Sequence, residues 1–460
     1  MGPPQQDPIR MSQLLPERQD LRCTPSHVRP AERIYLDWNA TAPLRPEAWD
    51  ALQPFLAQDF GNAASVHRHG QEAKAALERA RALCAEVLGC APEELVFTSG
   101  GTESDNLALR GLAWAARLRL EPSSPPGGAG EGGGAACRII CSEIEHSAVL
   151  ETVRALGAQG FETVYVPARA AGTVDPRALA DALGTPSGSG AVARGTLGSD
   201  ARIADTGSSG TAVPTAVVAL MYANNESGVI QPVAEAARAC RERAGKLERR
   251  VVMHVDAVQA PGKLPLKVAA LGCDTLALSG HKFEGPKGVG LLYVRRGTGL
   301  ASHMTGGSHE GHLRGGTPNV AGAVGLAVAL RLAEDEREET CSRLEALRAR
   351  FEGSLREALP GVVIHGAEAA RIPNTSFVSF VGLEGESLVI ALDLEGLSVS
   401  TGAACTQGTS LPSHVLTGMG LPMEVVRGAV RFSFGRLTTA AEMEKALERV
   451  VRVTKRVNGS

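Results

Sequence analysis

Between residues 94 and 294 the chain repeats one pattern: a short apolar run of strand length, a turn, then a stretch with helical spacing. The runs are ELVFTS (94–99), RIICS (138–142), ETVYVP (162–167), TAVVALMY (215–222), RVVMHVD (250–256), DTLALS (274–279) and GVGLLYV (288–294). Strands that alternate with helices pack as an α/β domain around a largely parallel sheet. Positions 73, 76, 77, 80, 83, 84, 87 and 88 are all Ala, Leu, Val or Cys, which is the buried stripe of one helix.

At 460 residues the chain exceeds the usual size of one hydrophobic core, so two domains are expected. Residues 1–32, rich in Pro, Gln and charge, read as a flexible tail. Residues 33–309 read as the large domain. Its Gly-, Ser- and Pro-rich stretches 121–136 and 184–210 read as surface insertions. Residues 310–460 read as a smaller α+β domain. It holds a charged helix (334–355), the strand-like NTSFVSFVG (374–382) and RFSFG (431–435), and a terminal helix from about Thr439.

Lys and Arg number 47 against 50 for Asp and Glu, a net charge of −3. That balance argues against a nucleic-acid or anionic-membrane partner and suits a small or zwitterionic substrate. No apolar stretch approaches the roughly 18 residues of a membrane span. The N-terminal MGPPQQDPIRMSQ carries no secretory signal, so a soluble cytoplasmic protein is expected. The nine cysteines include no CxxC pair. Cys137 and Cys141 fall on one face of a strand, which reads as core packing rather than a metal site.

The stretch TLALSGHKFEGPKGVGLLYV (275–294) ends a buried strand at Ser279 and offers His281 and Lys282 at its carboxyl edge. Ligands of open α/β sheets bind at that edge, where a partly desolvated lysine can form a Schiff base with an aldehyde. Asp256 ends another apolar strand, with Gln259 one turn on. A carboxylate there can hold a pyridine nitrogen protonated, although an Asp at a strand end can equally cap a helix. VFTSGGTESDNLAL (96–109) runs strand, glycine turn, helix, and the helix start can bind a phosphate. His146 follows a strand, and Asn224 and Asn225 follow another. Four strand ends in chain order thus offer phosphate donors, a histidine, a pyridine carboxylate and a lysine. Cys405, in TGAACTQG (401–408), has no apolar run to bury it; alone it is either an ordinary loop residue or a thiol presented for chemistry.

With these motifs in place, the sequence resembles the cysteine desulfurases of the class V aminotransferase group, which depend on pyridoxal 5'-phosphate (PLP). The resemblance runs from YLDWNATAP (35–43) to RFSFGRLTT (431–439) and is carried by FGNAASVHRHG, FTSGGTESDN, SEIEHSAV, ANNESGVIQP, HVDAVQAPGKLP, LRGGTPN and GAACTQGTSLPSHVL. It implies PLP fold type I, with a mainly parallel seven-stranded sheet and a smaller α+β domain. It implies that Lys282 is the Schiff-base lysine, Asp256 the carboxylate on the pyridine nitrogen and His146 the stacking and proton-moving histidine. Gln259 and Asn225 match contacts near the ring hydroxyl, and Asn225 also stands with the substrate contacts. Gly101, Thr102, Ser279 and His281 match the phosphate cradle. Thr317 matches a phosphate contact from the other subunit of a homodimer. Arg431 matches the clamp on the substrate carboxylate, and Cys405 the persulfide-forming cysteine. The substrate implied is L-cysteine, and the partner a sulfur acceptor protein such as an iron–sulfur scaffold.

Trp38 stands where the family usually has Tyr, and Gly311 where many relatives have Arg. The short end after the terminal helix favours a nitrogen-fixation-like or stand-alone branch over scaffold docking of the housekeeping kind. Selenocysteine lyase, a class V aminotransferase and a non-catalytic sulfur-transfer scaffold are the rival functions. The length and ending of CTQGTSLPSHVL favour cysteine as substrate.

Overall fold

The computed structural model describes residues 33–118, 137–184, 215–402 and 412–459. The expected tail, the insertion 121–136, the insertion 184–210 apart from its first residue, and Cys405 lie outside the described residues. The strands are β1 (Ile34–Tyr35), β2 (Leu95–Thr98), β3 (Cys137–Ser142), β4 (Glu162–Val166), β5 (Thr215–Ala219) and β6 (Arg250–Asp256). They continue with β7 (Thr275–Ser279), β8 (Gly290–Val294), β9 (Val362–Ile364), β10 (Thr375–Phe380), β11 (Leu397–Ser398) and β12 (Ala429–Ser433).

Seven strands form one sheet in the order β2-β8-β7-β6-β5-β3-β4. Pairing is parallel throughout except at β8, which runs antiparallel to both of its neighbours. The other six strands therefore point one way, and their carboxyl ends share one edge of the sheet. Each apolar run supplies one of these strands. β3, β5, β7 and β8 are buried at every position. Burial on both faces is why they read as continuous runs rather than alternations. TAVVALMY leaves the regular ladder after Ala219, but Leu220 and Tyr222 still donate to the carbonyls of His254 and Asp256 (3.1 and 2.8 Å). The end of β6 is thereby pinned to the loop that follows β5.

The stripe expected from residue 73 onward belongs to the helix Arg68–Leu88. Its first turn is capped by the His67 side chain, and Gly89 at φ 69° ends it. A left-handed residue at that position favours glycine. This helix and the sheet bury one core, and a second core lies over the antiparallel sheet β12-β10-β9. Phe351 anchors the second core, with its ring 5.1 Å from that of Phe432 and 5.6 Å from that of Phe434.

The two cores divide the chain elsewhere than at 309/310. The helix Val320–Asp335 packs its apolar side chains into the first core, against the Ala-rich stripe of Arg68–Leu88. Ile34 and Leu36 belong to the second core, because β1 pairs in parallel with β11. Trp38 lies over Gly435, where a Cβ would stand 1.8 Å from the indole. The wider aromatic ring at position 38 therefore fits only beside a glycine. Among the described residues, no helix is long and apolar enough to cross a membrane.

Candidate active site

The site forms where the shared carboxyl edge of the large sheet meets the second core. After β7, a single tight turn, Gly280–Lys282, presents Lys282. Its Nζ donates to the carbonyls of Asn39 and Ala40 at 2.7 and 2.9 Å. Beside it, His281 Nδ1 lies 3.1 Å from Thr41 Oγ1. Burial, with help from Lys282 and Lys287, pushes the His281 imidazole down to about 4. The segment 39–41 is thus the floor on which Lys282 and His281 rest.

Asp256 is the last residue of β6 and is buried, and its Oδ1 accepts from Val258 N at 2.9 Å. Burial raises its carboxyl above the ordinary value, and the charges of His146 and Lys282 oppose that rise. His146 caps the helix Ser147–Ala158 by accepting from Ala148 N through Nδ1 (3.1 Å). The neutral ring therefore carries its proton on Nε2. Burial holds this imidazole below its ordinary value, against the pull of Asp256.

The helix Gly101–Arg117 begins at Gly100 with no side-chain cap, so its first-turn N–H groups remain for an outside acceptor. A Cβ on Gly101 would stand 2.6 Å from Val258 Cγ2 and 3.5 Å from Ser279 Cβ. The helix start, the turn after β6 and the end of β7 therefore converge on that glycine, with Thr102 exposed next to it. Thr317 is exposed on a loop tied to this helix by the ion pair of Arg314 with Glu103 (2.9 Å). Farther back on that loop, Glu310 takes Arg81 in a two-pronged pair (2.8 and 2.9 Å) and accepts from Phe97 N. Gly311, the departure from the family pattern, has φ 64° and open space where a Cβ would project. A glycine adopts that backbone without strain.

Two neighbouring asparagines are used differently. Asn224 Oδ1 accepts from Glu226 N, Ser227 N and Ser227 Oγ, so this residue builds the turn after β5. Asn225 Oδ1 is buried with no hydrogen-bond partner among the described residues, and so is Gln259 Oε1. Unpaired buried acceptors are costly, by roughly 1–3 kcal/mol each. The two open oxygens, the buried carboxyl of Asp256, the amine of Lys282 and the uncapped helix fit one compact group with a ring hydroxyl, a pyridine nitrogen, an aldehyde and a phosphate. These residues suit PLP.

Arg431, on β12, is 2% exposed. It donates to the Asn225 carbonyl through NH1 (2.9 Å) and to Asp37 Oδ1 through NH2 (2.7 Å), while its Nε is buried with no partner among the described residues. The fork expected for a substrate carboxylate is thus partly occupied by Asp37.

The family model for class V aminotransferases matches residues 34–188 and 206–446. A cysteine desulfurase IscS of Dictyoglomus turgidum is 37% identical over 424 residues, covering 92% of this chain and 95% of that protein. The chain belongs to the cysteine desulfurases. An IscS-like cysteine desulfurase of Mycobacterium tuberculosis is 39% identical over 417 residues, or 90% and 94% of the two chains. A solved NifS-like protein superposes with a TM-score of 0.75 at 32% identity, covering 92% of this chain and 99% of that one. Among the family's expected residues, Lys282, Asp256, His146, Asn225, Gln259, Gly101, Ser279 and His281 come together at the sheet edge. Thr317 stands apart on its own loop, and Cys405 lies outside the described residues.

This desulfurase also places three acids and a histidine that the motifs did not single out. His254, two residues before Asp256 on β6, lies 3.2 Å from Asp105 Oδ1 and 2.9 Å from Thr275 Oγ1. Burial pushes His254 down to about 3, so the ring is neutral. Burial, then Asp256 and Glu145, raise Asp105 well above its ordinary value. Glu145, next to His146, accepts from Ser142 Oγ and Met221 N, and burial pushes it up to about 8. An ionised carboxylate at Asp256 favours protonation of a nearby ring nitrogen, whereas burial keeps Asp105 and Glu145 in their neutral forms. Strand periodicity is the signal that could have found His254, since residues two apart share a face. Glu226 completes the set, buried in the turn after β5 with its carboxylate on Ser413 Oγ.

Proposed function

We propose that this desulfurase converts L-cysteine to L-alanine, leaves the sulfur on Cys405 as a persulfide, and passes it to an acceptor protein for iron–sulfur cluster assembly. The observation that carries the residue assignments is the convergence of Lys282, Asp256 and the open oxygens of Asn225 and Gln259 on one sheet edge.

PLP held there supplies an electron sink for charge developing at the substrate's Cα. Asp256 would hold the ring-nitrogen end protonated. The first-turn N–H groups at Gly101 and Thr102, with Ser279 and His281, hold the phosphate. Lys282 Nζ takes the proton from Cα and returns a proton to carbon. His146 serves as a proton carrier through Nε2. Arg431 binds the α-carboxylate by displacing or sharing Asp37. The Cys405 thiolate attacks the substrate sulfur, so an S–S bond forms as the Cβ–S bond breaks. The carbon keeps the bonding pair and gains a proton. Thiol plus cysteine becomes persulfide plus alanine, with sulfur oxidised and carbon reduced, and no outside oxidant enters.

A homodimer, in which Thr317 of the partner subunit reaches the phosphate, is supported by the exposure of Thr317 and of the apolar Leu56, Phe60 and Val66 (61%, 70% and 89% exposed). The test is incubation with L-cysteine, followed by alanine assay and mass spectrometry of the Cys405 peptide. One added sulfur is expected on that peptide. An unmodified peptide with alanine still formed overturns the role of Cys405. Faster turnover of L-selenocysteine, with negligible activity on L-cysteine, overturns the substrate.

A further inference from the structure

Asn39 is 1% exposed and sits in the turn that follows β1. Its backbone carbonyl accepts from Lys282 Nζ at 2.7 Å and from Gln259 Nε2 at 3.0 Å. Its side-chain Nδ2 donates to the Asn225 carbonyl at 3.2 Å and to Thr375 Oγ1 at 2.8 Å. Its Oδ1 accepts from Asn374 Nδ2 at 3.0 Å, and its backbone N–H donates to Ser433 Oγ at 3.0 Å. A backbone carbonyl can only accept, so the atom facing Asn225 is the nitrogen and the amide orientation is fixed.

These bonds reach the turns after β5, β6 and β7, the start of β10 and the end of β12. Every N–H of Asn39 is thereby used. The Asn225 carbonyl that takes the Asn39 amide also takes Arg431 NH1 at 2.9 Å. Lys282 and Arg431 are therefore joined through one residue and one further carbonyl. The position needs two donors and one acceptor on a short stem, which is what asparagine carries. Asp fills the same space but sets an oxygen against the Asn225 carbonyl. Ala leaves the Asn374 amide and the Thr375 hydroxyl each short of one bond. A buried network satisfied at its donors holds one geometry.

We propose that Asn39 is a positioning residue that holds the Lys282 amine and the Arg431 guanidinium at a fixed separation. A substrate clamped by its α-carboxylate then presents Cα to the lysine. This rests on the reading of Lys282 as the base and Arg431 as the clamp.

The experiment uses full-length holoenzyme carrying Asn39→Ala, Asn39→Asp, Arg431→Lys, or Asn39→Ala together with Arg431→Lys. L-Alanine, which binds but carries no sulfur, is the probe. Its Kd, read from the cofactor absorbance, reports on the Arg431 side. The rate of solvent deuterium exchange at its Cα under saturation, read by NMR, reports on the Lys282 side. Asn39→Ala should raise Kd about fivefold or more and slow exchange about tenfold or more. Asn39→Asp should move both readouts the same way, although it fills the space and keeps the acceptor for Asn374. Adding Asn39→Ala to Arg431→Lys should raise Kd less than about twofold further, because both changes act through the Asn225 carbonyl. Parent-like readouts in Asn39→Asp overturn the proposal, as do a change in one readout alone and additive losses in the double variant. Unchanged L-alanine affinity in Arg431→Lys removes the clamp reading instead, and the exchange rate of Asn39→Asp then decides the role of Asn39 at Lys282.

Discussion

Lys282, Asp256 and His146 stand at the ends of β7, β6 and β3 or just beyond, within one sheet whose strands hold one another through continuous ladders. Arg431, on β12, stands between Val430 and Phe432 of the second core, whereas Ser413 and His414 open a helix whose Val415 and Leu416 belong to the first. All three reach the turns at the sheet edge through single polar contacts: to the Asn225 carbonyl, the Glu226 carboxylate and the Glu145 carbonyl. The cofactor side is fixed by backbone cooperativity, and the groups facing it by a few side-chain hydrogen bonds. Bonds made and broken at Cα need fixed geometry. Binding and delivery can be tuned by individual hydrogen bonds.

That contrast can be broken by mutation. The largest effect is expected for Lys282→Ala, which should cut the rate of alanine formation roughly 10²- to 10⁴-fold in single-turnover assays, because Lys282 Nζ is the base assigned to the Cα proton. Asp256→Asn should reduce kcat roughly 10²-fold in steady-state assays, since a neutral amide no longer stabilises the charged ring nitrogen. Arg431→Lys should act chiefly on KM, raising it about 10- to 100-fold with a smaller change in kcat, because it loses the forked geometry. A kcat loss in Arg431→Lys equal to that in Lys282→Ala would erase the division between the two sides.

The smallest effect concerns stability. The folded-state value of Glu145 is raised from 4.5 to about 8. The folded protein therefore keeps a proton that the unfolded chain has already released across that window. The contribution to stability is full below the unfolded value and falls as pH rises towards the folded one. Urea midpoints across the window should decline less steeply in Glu145→Gln than in the parent chain. An equal decline would assign the pH dependence to Asp105 and the other buried acids.

Much of the cofactor side was legible because its residues sit next to features that sequence records directly. Asp256 closes an apolar run, Lys282 follows one, and Gly101 begins a helix after a third. The remainder was hidden by distance along the chain. Asp37 and Arg431 are 394 residues apart, Glu226 and Ser413 are 187, and Asp105 and His254 are 149. No local spacing marks such pairs, and a buried Glu in a turn reads like an exposed one. The boundary between the cores was obscured for a related reason. The helix Val320–Asp335 is apolar enough to join either core, and only the Ala-rich surface of Arg68–Leu88 decides which one receives it.

By itself, the sequence determined the seven strands, the chemistry offered at their ends and the kinship to a PLP-dependent sulfur enzyme. Apolar runs, glycine turns and short motifs act over a few residues and are written locally. The tertiary structure alone decided that β8 runs against its neighbours, that Asp37 shares the fork of Arg431, and that Glu226 takes the Ser413 hydroxyl. Each of these depends on which surfaces close over one another to exclude water, and that is settled only when the two cores pack.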